Sequence, residues 1–137
     1  MKEIYDYNLE VLKDITRTKK KVRSLVRQLK VLQSEDQKDL IDADKLAIMV
    51  NYTTDLKDYY AAIVSGALQS INAIEDSDER DILTLVYLEG LTHAATMREL
   101  GLKKQNYWLK HRKGVEEFSM PDTVQGLHKP IEGEYIK

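Results

Sequence analysis

Apolar side chains recur at alternating steps of three and four residues along the N-terminal part of the chain, with Asn8 and Thr18 as polar members of the series. The apolar members are Ile4, Val11, Ile15, Val22, Leu25, Leu29 and Leu32. Because heptad spacing places these residues on one side of a helix, it predicts a single long helix over residues 3–33. The polar residues 33–39 that follow predict a turn.

A second series with the same spacing predicts another long helix over residues 40–75. Its members are Leu46, Met49, Thr53, Leu56, Tyr60, Ile63, Ala67, Ser70 and Ile74. Two such helices joined by a short loop pack against each other in antiparallel orientation. Since the two heptad seams hold more apolar residues than one hairpin needs, we also expect a homodimer formed through residues 1–75.

Shorter elements follow the second long helix. Asp76 with Glu79 three residues later is the pattern of a helix N-terminus, and Gly90 predicts where that helix ends. Thr92 predicts the N-cap of a helix over residues 93–100.

Gly101 can adopt the positive φ of a turn, and residues 104–118 predict a last helix. Residues 119–137 hold both prolines and no periodicity, so we expect an extended or disordered tail. No segment shows the alternation of a strand. The predicted fold is all-α, with a long antiparallel helical hairpin over residues 1–75, a helix-turn-helix domain over residues 76–118 and the tail.

Composition narrows the choice of function. The 137-residue chain is 42% hydrophobic and 32% charged, which is typical of a globular domain. It contains no cysteine, so disulfides and thiolate metal sites are excluded. We also find no secretory signal and no apolar run of the roughly 18 residues that span a bilayer. His93 and His111 have no spaced second ligand, and we expect both at the surface or its boundary. We therefore expect a cytoplasmic protein without metal or cofactor.

Charge is strongly segregated although the net charge is only −2. Residues 13–30 carry eight lysines and arginines against one aspartate, and residues 103–113 carry five cations and no acid. Residues 35–44 and 75–81 each carry five acids against one cation. Local fields of this kind can attract a polyanion despite a near-neutral total. The run Lys19-Lys20-Lys21 is either a solvated helix face or a contact to a DNA backbone.

The helices over 93–100 and 104–118, with Gly101 between them, have the outline of a helix-turn-helix, whose second helix enters the major groove of DNA. The last helix has an inner side and an outward side. The inner side holds Tyr107, Gly114, Val115 and Phe118, and the outward side holds Lys104, Gln105, Trp108, Leu109 and Arg112. Gln pairs well with adenine and Lys or Arg with guanine, while Lys103, Lys110 and Lys113 would neutralise phosphates.

The run IEDSDERDILTLVYLEGLT, from Ile74 to Thr92, resembles the start of region 4 of bacterial sigma factors, as do residues 100–102 and 111–118. The chain is most similar to phage-encoded, sigma-region-4-like regulators of the ArpU/RinA type. The resemblance implies activation of phage late genes through duplex promoter DNA in a bacterial host, with possible contact to host RNA polymerase. It places Thr92 at the start of the first motif helix, in contact with the DNA backbone.

By the same resemblance Lys104, Gln105 and Trp108 occupy base-reading positions. The chain departs from the family pattern at Met97, Lys103 and Trp108. Trp108 could stack on DNA or anchor a protein interface, where tryptophan is enriched.

Two other classes remain open. One is a protein-interaction module in which Trp108 and Leu109 bind a host protein or a polymerase subunit. The other is a DNA-packaging protein like a small terminase subunit, which also joins a helix-turn-helix to an oligomerising helical part. The sequence contains no nucleophile elbow, phosphate loop or zinc motif, so we do not expect an enzyme.

Overall fold

A computed structural model describes residues 3–136, and within that range the chain forms helices and no strand. The prediction of an all-α fold is confirmed. The helices are α1 (Ile4–Leu32), α2 (Glu35–Leu40), α3 (Ala43–Asn72), α4 (Ser77–Leu83), α5 (His93–Leu100), α6 (Lys104–Glu117) and α7 (Asp122–Gln125). A π-helical turn, Thr84–Leu88, continues α4, and a short 3-10 turn, Glu132–Glu134, lies near the C-terminus. No helix among residues 3–136 is long and apolar enough to cross a bilayer.

Helices α1 and α3 form the predicted antiparallel hairpin. Leu12, near the start of α1, shares the core with Ile71, near the end of α3. At the other end of the hairpin, Val31 of α1 lies beside Met49 of α3. The connection differs from the predicted turn over residues 33–39, because Glu35–Leu40 forms a short helix whose first turn holds two acids, a favourable charge at a helix N-terminus.

Only some residues of the predicted heptad seam of α1 are buried. Ile15 and Leu25 are buried, but Ile4 is 58% exposed, whereas Leu12, outside the predicted seam, is fully buried. The N-terminal part of α1 packs against α3 on one side and against the π-helical turn and α6 on another. Packing on two sides buries a wider strip of α1 than a two-helix seam requires.

The local signals for helix ends are confirmed. The Asp76 carboxylate accepts a hydrogen bond from the Glu79 backbone N–H at 3.0 Å. The Thr92 hydroxyl likewise accepts one from the Ala95 N–H at 3.1 Å. Gly90 and Gly101 adopt φ of 79° and 65°, in the left-handed region that side chains other than glycine rarely occupy.

One apolar core joins the hairpin to the C-terminal helices. It is formed by Leu12, Ile15, Ala67, Ile71, Ile74, Leu83, Tyr87, Leu88, Val115 and Phe118. Because hairpin residues and α6 residues share this core, α6 is fixed to the hairpin by packing.

The C-terminal segment differs from the predicted extended or disordered tail. It forms α7 and packs along α3, where a Cβ added to Gly66 would meet the side chains of Val124, Met120 and Pro121. The Tyr135 hydroxyl also donates a hydrogen bond to Asp55 of α3 at 2.5 Å. The apolar residues of this segment that pack at Gly66 are irregularly spaced. The sequence therefore contains no periodic pattern from which this packing could be predicted.

Candidate nucleic-acid interface

Helices α5 and α6 lie on either side of a short connection that begins at Gly101. Thr92 caps α5, and Thr96 in the middle of α5 is fully buried. Helix α6 begins at Lys104 after the N-cap residue Lys103, whose side chain makes no capping hydrogen bond. The first-turn amides of α6 therefore have no side-chain acceptor from the N-cap, and the positive end of the helix dipole lies beside Lys103 and Lys104.

The inner side of α6 is buried as the spacing predicts. Tyr107 and Val115 are fully buried, and Phe118 is 2% exposed. At Gly114, α6 crosses α4 closely, since an added Cβ would lie 3.4 Å from the Cβ and carbonyl oxygen of Glu79. This packing fixes which side of α6 faces solvent.

The outward side of α6 is exposed. Lys113 is exposed, but it lies on the α4 side of α6 in a cleft with Asp76, Glu79 and Glu117. The predicted contact residues Lys103, Lys104, Gln105 and Arg112 are exposed on the outward side, as is Thr92 at the start of α5. Leu109 is 53% exposed in the middle of this surface. The outward side thus presents cations, an amide and an apolar side chain together.

One predicted phosphate contact, Lys110, is engaged inside the protein. Lys110 is half-buried and its ammonium lies 2.5 Å from the Asp76 carboxylate. This hydrogen bond is the main reason that the pKa of Asp76 is lowered and the pKa of Lys110 is raised. Lys110 therefore faces α4 and lies apart from the outward side.

Arg112 is exposed but held by three neighbours. Its guanidinium lies 3.3 Å from the Glu3 carboxylate and 3.0 Å from Glu116. It also lies over the Tyr5 ring, 4.6 Å from the centroid. The exposed acid Glu116 marks the C-terminal end of the acid-free surface.

Trp108 is 40% exposed and rests on an aromatic cluster. Its ring centroid lies 4.7 Å from that of His93, 5.1 Å from Tyr107 and 5.4 Å from His111. The ring is therefore positioned by packing on one side, and its other side meets solvent beside α6. Such a fixed ring can contact a sugar, a thymine methyl group or an apolar partner surface.

The expectation that His111 lies at the surface or its boundary is wrong. His111 is 2% exposed, and a 2.8 Å hydrogen bond joins its Nε2 to the Tyr87 hydroxyl, while its Nδ1 has no partner. Desolvation, followed by the charges of His93 and Lys13, lowers the pKa of His111 to about 4. The sequence held a signal for this burial, because His111 follows the inner residue Tyr107 by one helical turn.

His93 is half-buried, with its Nδ1 2.6 Å from the Tyr107 hydroxyl. Desolvation is the largest cause of its lowered pKa. Both histidines thus stabilise the contact between α5, α6 and the π-helical turn as neutral rings.

Asn8 of α1 holds the C-terminal end of α6, whereas its heptad position predicted only a place in the hairpin seam. Its side-chain amide donates hydrogen bonds of 2.8 Å to the carbonyls of Val115 and Phe118. These carbonyls lie at the C-terminal end of α6, where the helix itself supplies no donors. An asparagine among apolar heptad positions was the available signal, but its partner lies 107 residues away in the sequence.

Comparison of the whole chain with protein-family models, with curated proteins and with solved structures finds no match. The functional interpretation therefore depends on α5 and α6 themselves, whose geometry combines a buried inner side with a cationic outward side.

Proposed function

We propose that the protein is a phage or prophage regulator of late-gene transcription, and that it binds duplex DNA by placing the N-terminal half of α6 in the major groove. The observation that carries this proposal is the exposed, acid-free outward side of a helix whose inner side is locked into the core. A major groove about 12 Å wide admits one α-helix, and a fixed helix can present its side chains in a defined register.

Five exposed residues have a role in this proposal. Lys103 and Lys104, with the first-turn amides of α6, bind a phosphate, as does the exposed Lys113. Gln105 reads a base edge, for which adenine is the best partner. Thr92 approaches the DNA backbone at the start of α5.

A homodimer is part of the proposal. At the end of the hairpin far from α6, Val31, Leu40 and Met49 are 57%, 77% and 41% exposed, which favours contact with a second copy. Two copies would present two α6 helices to half-sites about 34–36 Å apart. Mass in solution separates this state from a ring of eight or more chains, which would favour the packaging alternative.

Selection from a pool of random duplexes tests the proposed DNA binding. We expect the wild-type protein to enrich one sequence, and binding to weaken steeply as salt is raised. Replacing Gln105 by Ala should relax preference at one base position by about 1–3 kcal/mol, whereas Lys113→Ala should weaken all sequences alike. Gln33→Ala, an exposed glutamine at the far end of the hairpin, is the control and should bind as wild type does.

Two results would contradict the DNA-binding proposal. One is no retention of any duplex at low salt. The other is unchanged affinity when Lys104, Gln105 and Arg112 are all replaced by Ala.

Contact with RNA polymerase is a second candidate function, favoured by the exposure of Leu109 beside Trp108. Host lysate treated with nuclease supplies the test. Retention of polymerase subunits by the wild type but not by Leu109→Glu would support it, and their absence from both would count against it.

A further inference from the structure

A row of cations follows one side of α1, from Lys13 near the contact with α5 and α6 to Lys30 near the far end of the hairpin. Counting from Lys13, the positions step by three and four, with Thr16 as the second member. We call its charged members the α1 stripe: Lys13, Lys20, Arg23, Arg27 and Lys30. All five are exposed, and none forms an ion pair within the part of the chain that the structure describes.

Few acids lie near the stripe. Residues 15–34 of the chain, which hold four of its five members, contain no acid, although Asp14 follows Lys13 and Glu132 lines the same groove as Arg27. The other cations of this part of α1 are engaged elsewhere: Arg17 pairs with Asp14, Lys21 lies over the Tyr60 ring and Lys19 donates to a backbone carbonyl. The stripe is therefore a row of five exposed cations without an ion pair among the described residues.

Hydrogen bonds join this part of α1 to the segment that leads into α5. The Thr16 hydroxyl donates to the Tyr87 carbonyl at 2.9 Å, and the Lys19 ammonium donates to the Leu88 carbonyl at 2.6 Å. That segment continues through Gly90 to Thr92 and His93, whose ring packs against Trp108 of α6. The first cation of the stripe thus lies on the side of α1 that meets the start of α5.

We propose that the α1 stripe binds the phosphate backbone of the same duplex that α6 enters, and so extends the DNA footprint beyond the major-groove contact. This inference rests on the proposed DNA binding. From Lys13 to Lys30 the stripe is about 25 Å long at 1.5 Å per residue, which matches about seven base pairs at roughly 3.4 Å each. Regularly spaced cations suit a phosphate backbone, which is contacted in the same way whatever the base sequence.

The test compares two variants with the same change in net charge. The stripe variant carries Lys20→Gln, Arg23→Gln and Arg27→Gln. The control carries Lys38→Gln, Lys45→Gln and Lys57→Gln, three cations of the hairpin outside the stripe. Each is titrated, over a salt series, with the selected site on a duplex of about 12 base pairs and on one of about 40. Thermal unfolding of both variants checks that they are folded.

On the long duplex, the slope of log affinity against log salt should be about 2–3 units shallower for the stripe variant than for wild type, and affinity at low salt should fall about 10–100-fold. On the short duplex the two should differ little, and the control should follow wild type on both.

Equal slopes for the stripe variant and the control on the long duplex would overturn the inference while leaving DNA binding by α6 intact. Failure of the wild type to bind either duplex would overturn the proposed function, and this inference with it. A stripe variant that loses binding to phosphatidylserine vesicles but keeps the wild-type DNA slope would assign the stripe to a membrane surface instead.

Discussion

Replacement of Asn8 by leucine is expected to lower the free energy of unfolding by about 2–4 kcal/mol, because two buried carbonyls lose their donor and each unsatisfied group costs about 1–3 kcal/mol. Leucine has the same number and branching of side-chain heavy atoms as asparagine, so the change removes the hydrogen bonds and keeps the shape of the side chain, with a larger volume. The carbonyls belong to Val115 and Phe118, at the end of α6. Urea unfolding followed by circular dichroism measures the effect.

Asn51→Leu is the matched control for this prediction, since Asn51 is an exposed asparagine within α3. It should change stability by no more than about 0.5 kcal/mol. Hydrogen exchange should also quicken at the C-terminal end of α6 in the Asn8 variant. A stability loss no larger for Asn8 than for Asn51 would show that the two bonds do not hold α6 to the hairpin.

Acidification is expected to destabilise the protein through His111. The pKa of this ring is lowered from 6.5 to about 4 in the folded protein. Below pH 6.5 the unfolded chain binds a proton that the folded chain excludes, so stability is complete above that pH and is lost as the pH falls towards 4. The loss attributable to His111 is about 2 kcal/mol between about pH 7.5 and pH 5, and about 3 kcal/mol by pH 4.

Comparison with His111→Gln isolates this contribution, because glutamine does not titrate and can still hydrogen-bond to the Tyr87 hydroxyl. The variant should lose less stability than wild type over the same pH range. His93 titrates in the same direction, whereas Glu79, whose pKa is raised by desolvation and by Glu117, contributes in the opposite direction. Parallel slopes for wild type and His111→Gln would contradict the assignment.

The elements that depend on neighbouring residues could be predicted from the sequence. The caps at Asp76 and Thr92 and the turn at Gly101 are local, since each forms between residues at most a few positions apart. The inner side of α6 follows from the helical spacing of Tyr107 and Val115. In the candidate site, the exposed residues of α6 could be identified because they lie on the side of the helix opposite its buried residues.

The contacts that depend on residues distant in sequence could not be predicted. Asn8 reaches the end of α6 across 107 positions, and the tail docks at Gly66 through residues with no regular spacing. The pairing of Lys110 with Asp76 is of the same kind, since two charges 34 positions apart meet only when α4 crosses α6. The positive charge of Lys110 is evident from the sequence, but it does not distinguish a lysine paired within the protein from one that is available to DNA.

The most direct test of DNA binding by α6 locates the duplex on the protein. Amide resonances of the 15.9 kDa chain, labelled with ¹⁵N, are followed while a selected duplex is added at low salt. DNA binding by α6 predicts that the largest shifts fall on Thr92 and on residues 103–113, with smaller shifts along the exposed side of α1. Shifts confined to the acidic connection over residues 35–44 or to the tail, with α6 unchanged, would contradict it.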